Sequence, residues 1–62
     1  MPYTLLVQEL RDAHVSKASL EAYLEGKRES VSESILAVLD ARKADIGVPG
    51  LQKALVRWDA LY

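Results

Sequence analysis

The 62-residue chain has no cysteine and no phenylalanine, and only one histidine, one tryptophan and one methionine. Without cysteine there is neither a disulfide framework nor a thiolate metal site, and His14 alone cannot build a multi-histidine site. Structural zinc is therefore excluded. Glycine and proline are also sparse: Gly26, Gly47 and Gly50 stand apart, so no glycine-rich phosphate loop is present, and no linker, repeat or low-complexity run divides the chain. Neither sign of charge dominates, with 8 Lys+Arg against 9 Asp+Glu, a net charge of −1 and a pI near 5.7. No overall positive field exists to hold nucleic acid non-specifically, which leaves a local basic patch as the only electrostatic route to it. Long hydrophobic runs are missing too. The longest, Leu5-Leu6-Val7 and residues 35–39, fall far short of the roughly 20 residues a membrane span needs, and no charged region precedes a signal-like stretch. The expectation is a cytoplasmic protein without a membrane partner.

What is present is apolar spacing of three and four residues in every segment, while two-residue alternation does not persist beyond the first seven. This predicts an all-α fold: one domain over residues 1–62, a compact bundle of four short helices. The first follows Pro2 and runs to about Ala13, with Leu6, Leu10 and Ala13 on one stripe. Ser16 is a good N-cap for the second, whose inward face is Leu20, Tyr23 and Leu24 and whose stop is Gly26. Ser30-Val31-Ser32-Glu33 has capping-box spacing and starts the third, with Ile35, Leu36, Val38 and Leu39 inward, Arg42 and Lys43 near its carboxyl end, and Gly47 as its left-handed stop. Pro49 opens the fourth, over residues 49–62, where Leu51, Leu55, Trp58 and Tyr62 form a stripe beside Ala54 and Leu61. So small a core supplies roughly 3–5 kcal/mol at best, so a partner, often a second copy, is expected.

Catalysis finds little support. A general base needs a positioned partner and a pocket, and neither His14 nor the carboxylate pairs Glu9/Asp12 and Glu21/Glu25, at helical spacing on the polar faces, offers one. The expectation is a non-enzyme with no cofactor, no metal and no small-molecule substrate.

The informative stretch is residues 15–28. Val15-Ser16 closes a turn, Ser19-Leu20 and Tyr23 follow, and Gly26-Lys27-Arg28 ends the helix. Val15, Leu20 and Tyr23 would pin this helix on the first and leave Lys17, Ala18, Ser19, Glu21 and Ala22 outward, a narrow face of mostly small side chains able to approach a groove. That order resembles the recognition helix of the Cro and phage-repressor type of helix-turn-helix proteins, with the pair of helices at about residues 5–26. Ser30-Val31-Ser32 with Ile35, Leu36 and Leu39 is similar to that family's next helix, so the resemblance spans roughly residues 6 to 46. The chain departs from the family at His14, where a glycine is usual, in having no room for a further preceding helix, and in the acidic Glu21 and Glu25 beside the presented helix.

The resemblance implies double-stranded DNA as partner. Lys17 and Ser19 would reach bases, Ser16 and the helix amino terminus a phosphate, and Lys27 with Arg28 another strand position. Ala18 and Ala22 would line the face, and Glu21 would accept from cytosine. The expected function is a small sequence-specific DNA-binding protein, a phage- or plasmid-type transcriptional repressor. It would act as a homodimer on a palindromic operator, its subunits paired through Leu51, Leu55, Trp58 and Tyr62. A second resemblance, to Arc-type ribbon-helix-helix repressors, rests on residues 30–36 as the start of a second helix and residues 3–7 as a short strand. The balanced charge favours another function class: a non-catalytic helical protein-interaction module, such as a small acidic inhibitor, antitoxin or adaptor.

Overall fold

Leu6, Val7 and Leu10 fall on one side of a ten-residue helix, and this apolar side sets how the chain begins to pack. In the computed structural model, which describes residues 3–62, α1 (Tyr3–Asp12), α2 (Lys17–Leu24), a 3-10 turn (Arg28–Ser30) and α3 (Glu33–Leu61) follow in order. The first helix begins at Tyr3, and Pro2, expected in its first turn, lies outside the described residues. The all-helical expectation holds, with no strand among the described residues. Residues 3–7, the strand of the ribbon-helix-helix reading, are instead the opening turns of α1, where Leu6 and Val7 reach the core together as a two-residue alternation would not allow.

Both α1 and α2 pack chiefly on α3, which is the spine of the molecule. The sequence predicts α2 resting on α1; in the structure it rests on α3. α1 ends at Asp12, and the chain reverses through His14 with φ of 66°. His14 N–H donates to the Arg11 carbonyl at 3.0 Å and Val15 N–H to the Leu10 carbonyl at 2.9 Å, the paired bonds of a Schellman cap. Leu10 and Val15, which such a cap brings together, are both buried. A second Schellman cap ends α2 at Gly26, φ 83°, with Gly26 N–H on the Tyr23 carbonyl and Lys27 N–H on the Ala22 carbonyl.

The capping box expected at Ser30 to Glu33 does not form. Ser30 closes the 3-10 turn through its amide on the Lys27 carbonyl, Val31 is buried, and Ser32, extended at φ −65° and ψ 155°, is the residue that starts α3. Val31 turns inward from extended backbone, φ −119° and ψ 134°, that continues through Ser32, which moves the start two residues on.

The separate helix expected to open at Pro49 is a second arm of α3. Gly47 is the one non-helical residue inside that helix, with φ 73° and ψ 176°, a region that side chains with a Cβ avoid. Pro49 lies in the first turn after this kink, where its missing amide removes no needed hydrogen bond. Close behind, Gly50 is buried, and a Cβ there would lie 2.7 Å from Ile46 Cβ, so the two arms meet through a gap only glycine leaves open.

The core joins Leu6, Val7, Leu10, Val15, Leu20, Tyr23, Val31, Leu39, Leu51, Ala54 and Trp58, and no polar or charged residue among those described is buried. Ile35, Leu36 and Val38 are half-buried against it. Leu51 and Trp58, expected on a partner face, are taken up by this core, because the kink turns their stripe onto α1 and α2. Gly47→Ala and Gly50→Ala are each expected to cost about 1–3 kcal/mol, the first through backbone strain and the second through overpacking. Urea denaturation checks this, and unchanged midpoints would contradict it.

Candidate nucleic-acid interface

Ser16 opens α2 from an extended conformation, φ −93° and ψ 162°, and its hydroxyl accepts from the Ser19 amide at 3.1 Å. This satisfies one of the free amides of the first turn, as the sequence led us to expect. The Ser16 hydroxyl also bonds the Ser19 hydroxyl at 3.0 Å, so the two side chains close over the helix start together. Leu20 and Tyr23 turn inward from the opposite side and are buried. Ala18, Glu21 and Glu25 are exposed, while Lys17, Ser19 and Ala22 are half-buried along the edges.

The three cations expected at DNA each have a carboxylate. Lys17 pairs with Asp59 on the second arm of α3 and lies 3.8 Å from Glu21. The hydrogen bond to Asp59 raises the Lys17 pKa. Lys27 lies 3.5 Å from Glu25. Arg28 makes two bonds to Asp40 on the first arm, Nη1 to Oδ1 at 3.2 Å and Nη2 to Oδ2 at 3.0 Å. Tyr23 donates its hydroxyl to the same Asp40 Oδ1, and the Arg28 guanidinium lies 5.6 Å from the Tyr23 ring centre. The Arg28 and Tyr23 bonds, in that order, hold Asp40 at a pKa of about 2, while burial and the Asp40 bond raise that of Tyr23.

These ties clamp α2 at both ends: Lys17 to Asp59 at its start, and Tyr23 with Arg28 to Asp40 at its finish. α1 is held similarly, through Glu9 to Arg42 at 3.1 Å and through Arg11 over the Tyr62 ring at 3.9 Å. Among the described residues Lys43, Lys53 and Arg57 have no carboxylate within ion-pair distance.

The eight expected contact residues therefore divide. Ser16, Lys17, Ala18, Ser19, Glu21 and Ala22 cluster on one helix and its cap, Lys27 follows the Gly26 turn, and Arg28 is directed toward α3. On the expected partner stripe, Tyr62 is exposed and Leu55 half-buried, with Leu51 and Trp58 inside. Asp40 and Asp59 were missed. Both sit on otherwise solvated positions of α3, 17 residues beyond Tyr23 for Asp40, and no local spacing marks them.

Two outcomes follow from this geometry. Asp40 releases its proton near pH 2 in the folded chain and near 3.8 otherwise, so its contribution is complete above about pH 4 and is lost as pH falls toward 2. Asp40→Asn is expected to flatten the acid limb of a stability-against-pH curve measured by circular dichroism, and an unchanged limb would contradict the clamp. His14→Gly removes a left-handed strain and is expected to raise stability by up to about 1 kcal/mol; a loss in thermal melts would contradict it. No family model, curated protein or solved structure matches this chain.

Proposed function

We propose that this chain is a small sequence-specific DNA-binding protein of the repressor class, with α2 as the helix that enters the major groove. The observation that carries the reading is the turn before α2. His14 is held left-handed at the position where helix-turn-helix proteins of the Cro type place glycine, and Val15 and Ser16 then bury and cap as that motif requires. A residue with a Cβ is costly there, so the chain forms this turn despite its own local preference. α2 then presents Ala18, small enough for a groove wall to approach, beside the Ser16 cap, while Ala22, expected outward, packs partly against the core.

The cations divide into exchangeable and fixed. Lys17 and Lys27 lie in exposed pairs, a class of interaction worth about 0–1 kcal/mol, so a phosphate or base edge can replace Asp59 or Glu25 at small cost. Arg28 is different: its two-point bond to Asp40, shared with Tyr23, makes it a brace for α2. The assigned contact set is therefore Ser16, Lys17, Ala18, Ser19 and Lys27. The mechanism is occupancy of an operator, without cofactor or chemistry, by two copies on a palindrome.

One observation favours a second reading, a helical protein-interaction module. Every cation on or beside α2 is already paired, and Glu21 on this helix and Glu25 at its C-cap stand exposed. Fluorescence anisotropy against random duplex and promoter DNA, at about 50 and 200 mM salt, separates the two. The DNA reading predicts selective binding that falls steeply with salt. Lys17→Ala should relax the preference, and Lys27→Ala should weaken all sequences alike and lower the salt slope by about one. A folded protein with no selective binding would support the interaction module instead.

A further inference from the structure

Two shallow grooves flank the second arm of α3, one beside Tyr3 of α1 and the other against α2, and share Gln52 as a common wall. Pro49, Lys53, Val56 and Arg57 line the first. Val56 is 70% exposed, more than any other large apolar residue described, and the two cations beside it have no carboxylate partner among the described residues. Glu21, Leu24, Glu25 and Leu55 line the second. There two half-buried leucines lie between two exposed carboxylates, whose ion-pair contacts within the chain are the loose ones to Lys17 at 3.8 Å and Lys27 at 3.5 Å.

One surface thus carries an apolar strip with positive charge on one side of Gln52 and an apolar strip with negative charge on the other. A two-fold contact requires a patch that is its own complement. An axis through Gln52 brings the positive half of each copy onto the negative half of the other, twice. We propose that this face is the contact between two copies of the chain, with Val56 seated against Leu24 and Leu55 and with Lys53 and Arg57 facing Glu21 and Glu25 of the second copy. A foreign partner of one charge sign would satisfy one half of the patch and be repelled by the other, whereas a second copy satisfies both. The pairing replaces the contact expected through Leu51 and Trp58, which the core has taken up. It also neutralises the two glutamates that oppose phosphate beside α2; the contact itself requires no DNA.

Sedimentation of the protein alone tests this, so its result is independent of whether DNA binds. The wild-type chain is expected to dimerise in the micromolar range. Lys53→Glu with Arg57→Glu makes both halves acidic, and Glu21→Lys with Glu25→Lys makes both basic. Each double variant alone is expected to associate on the order of a hundredfold more weakly, while their equimolar mixture regains the dimer, because the acidic face of one meets the basic face of the other. All four side chains are exposed, so helical circular dichroism should be retained in each. Val56→Asp should weaken association without unfolding, since Val56 is outside the core. A wild-type monomer at high micromolar concentration, double variants that associate as tightly as wild type, or a mixture that stays monomeric would each overturn the proposal.

Discussion

A straight α-helix of 29 residues runs about 44 Å, yet the longest dimension of this molecule is 28 Å, so α3 fits only because Gly47 breaks it. With φ of 73° and ψ of 176°, that one residue folds the second arm back toward α1 and α2, and Gly50 lets the arms close to the distance at which Ile46 fills the gap. The core depends on this. Leu39 from the first arm and Leu51, Ala54 and Trp58 from the second reach the same cluster as Leu6, Leu10 and Leu20 only when the helix is bent. Without the kink a chain this short would expose much of its apolar surface and fall below the stability a lone domain needs.

The bend also determines where α2 is held. Asp40 lies on one arm and Asp59 on the other, and α2 spans them, tied at its start through Lys17 and at its end through Tyr23 and Arg28. These ties differ in kind. A single exposed lysine pair is weak and exchangeable, because solvent screens it and the side chain recovers its freedom on release. The Asp40 cluster combines a planar two-point bond with a buried phenol and is preorganised, which keeps Asp40 ionised far into acid. Rigid placement of a helix whose edge cations can exchange partners is what a groove-reading element requires.

Much of the local structure was legible in the sequence because its causes are local. The Ser16 cap, the inward Val15, Leu20 and Tyr23, and the stops at Gly26 and Gly47 each follow from the conformational preference of one or two residues. The N-cap at Ser32 was not legible, because burial of Val31 outweighed a capping box that Ser30 and Glu33 were spaced to form. Nor were Asp40 and Asp59, whose partners are set by how the arms of α3 fold. The direction of the Leu51 and Trp58 stripe turned on the same kink: helical spacing shows that these residues share a face, and only the bend decides whether that face meets the core or a partner.

The most direct test is a proton–nitrogen correlation spectrum of labelled protein titrated with duplex DNA, reading each backbone amide. Perturbation is expected at Ser16, Lys17, Ala18, Ser19 and Lys27, with the buried amides of Leu51, Ala54 and Trp58 unmoved. Perturbation confined to Lys53, Val56 and Arg57, or none at all in a folded chain, would contradict the assignment of α2 as the reading helix.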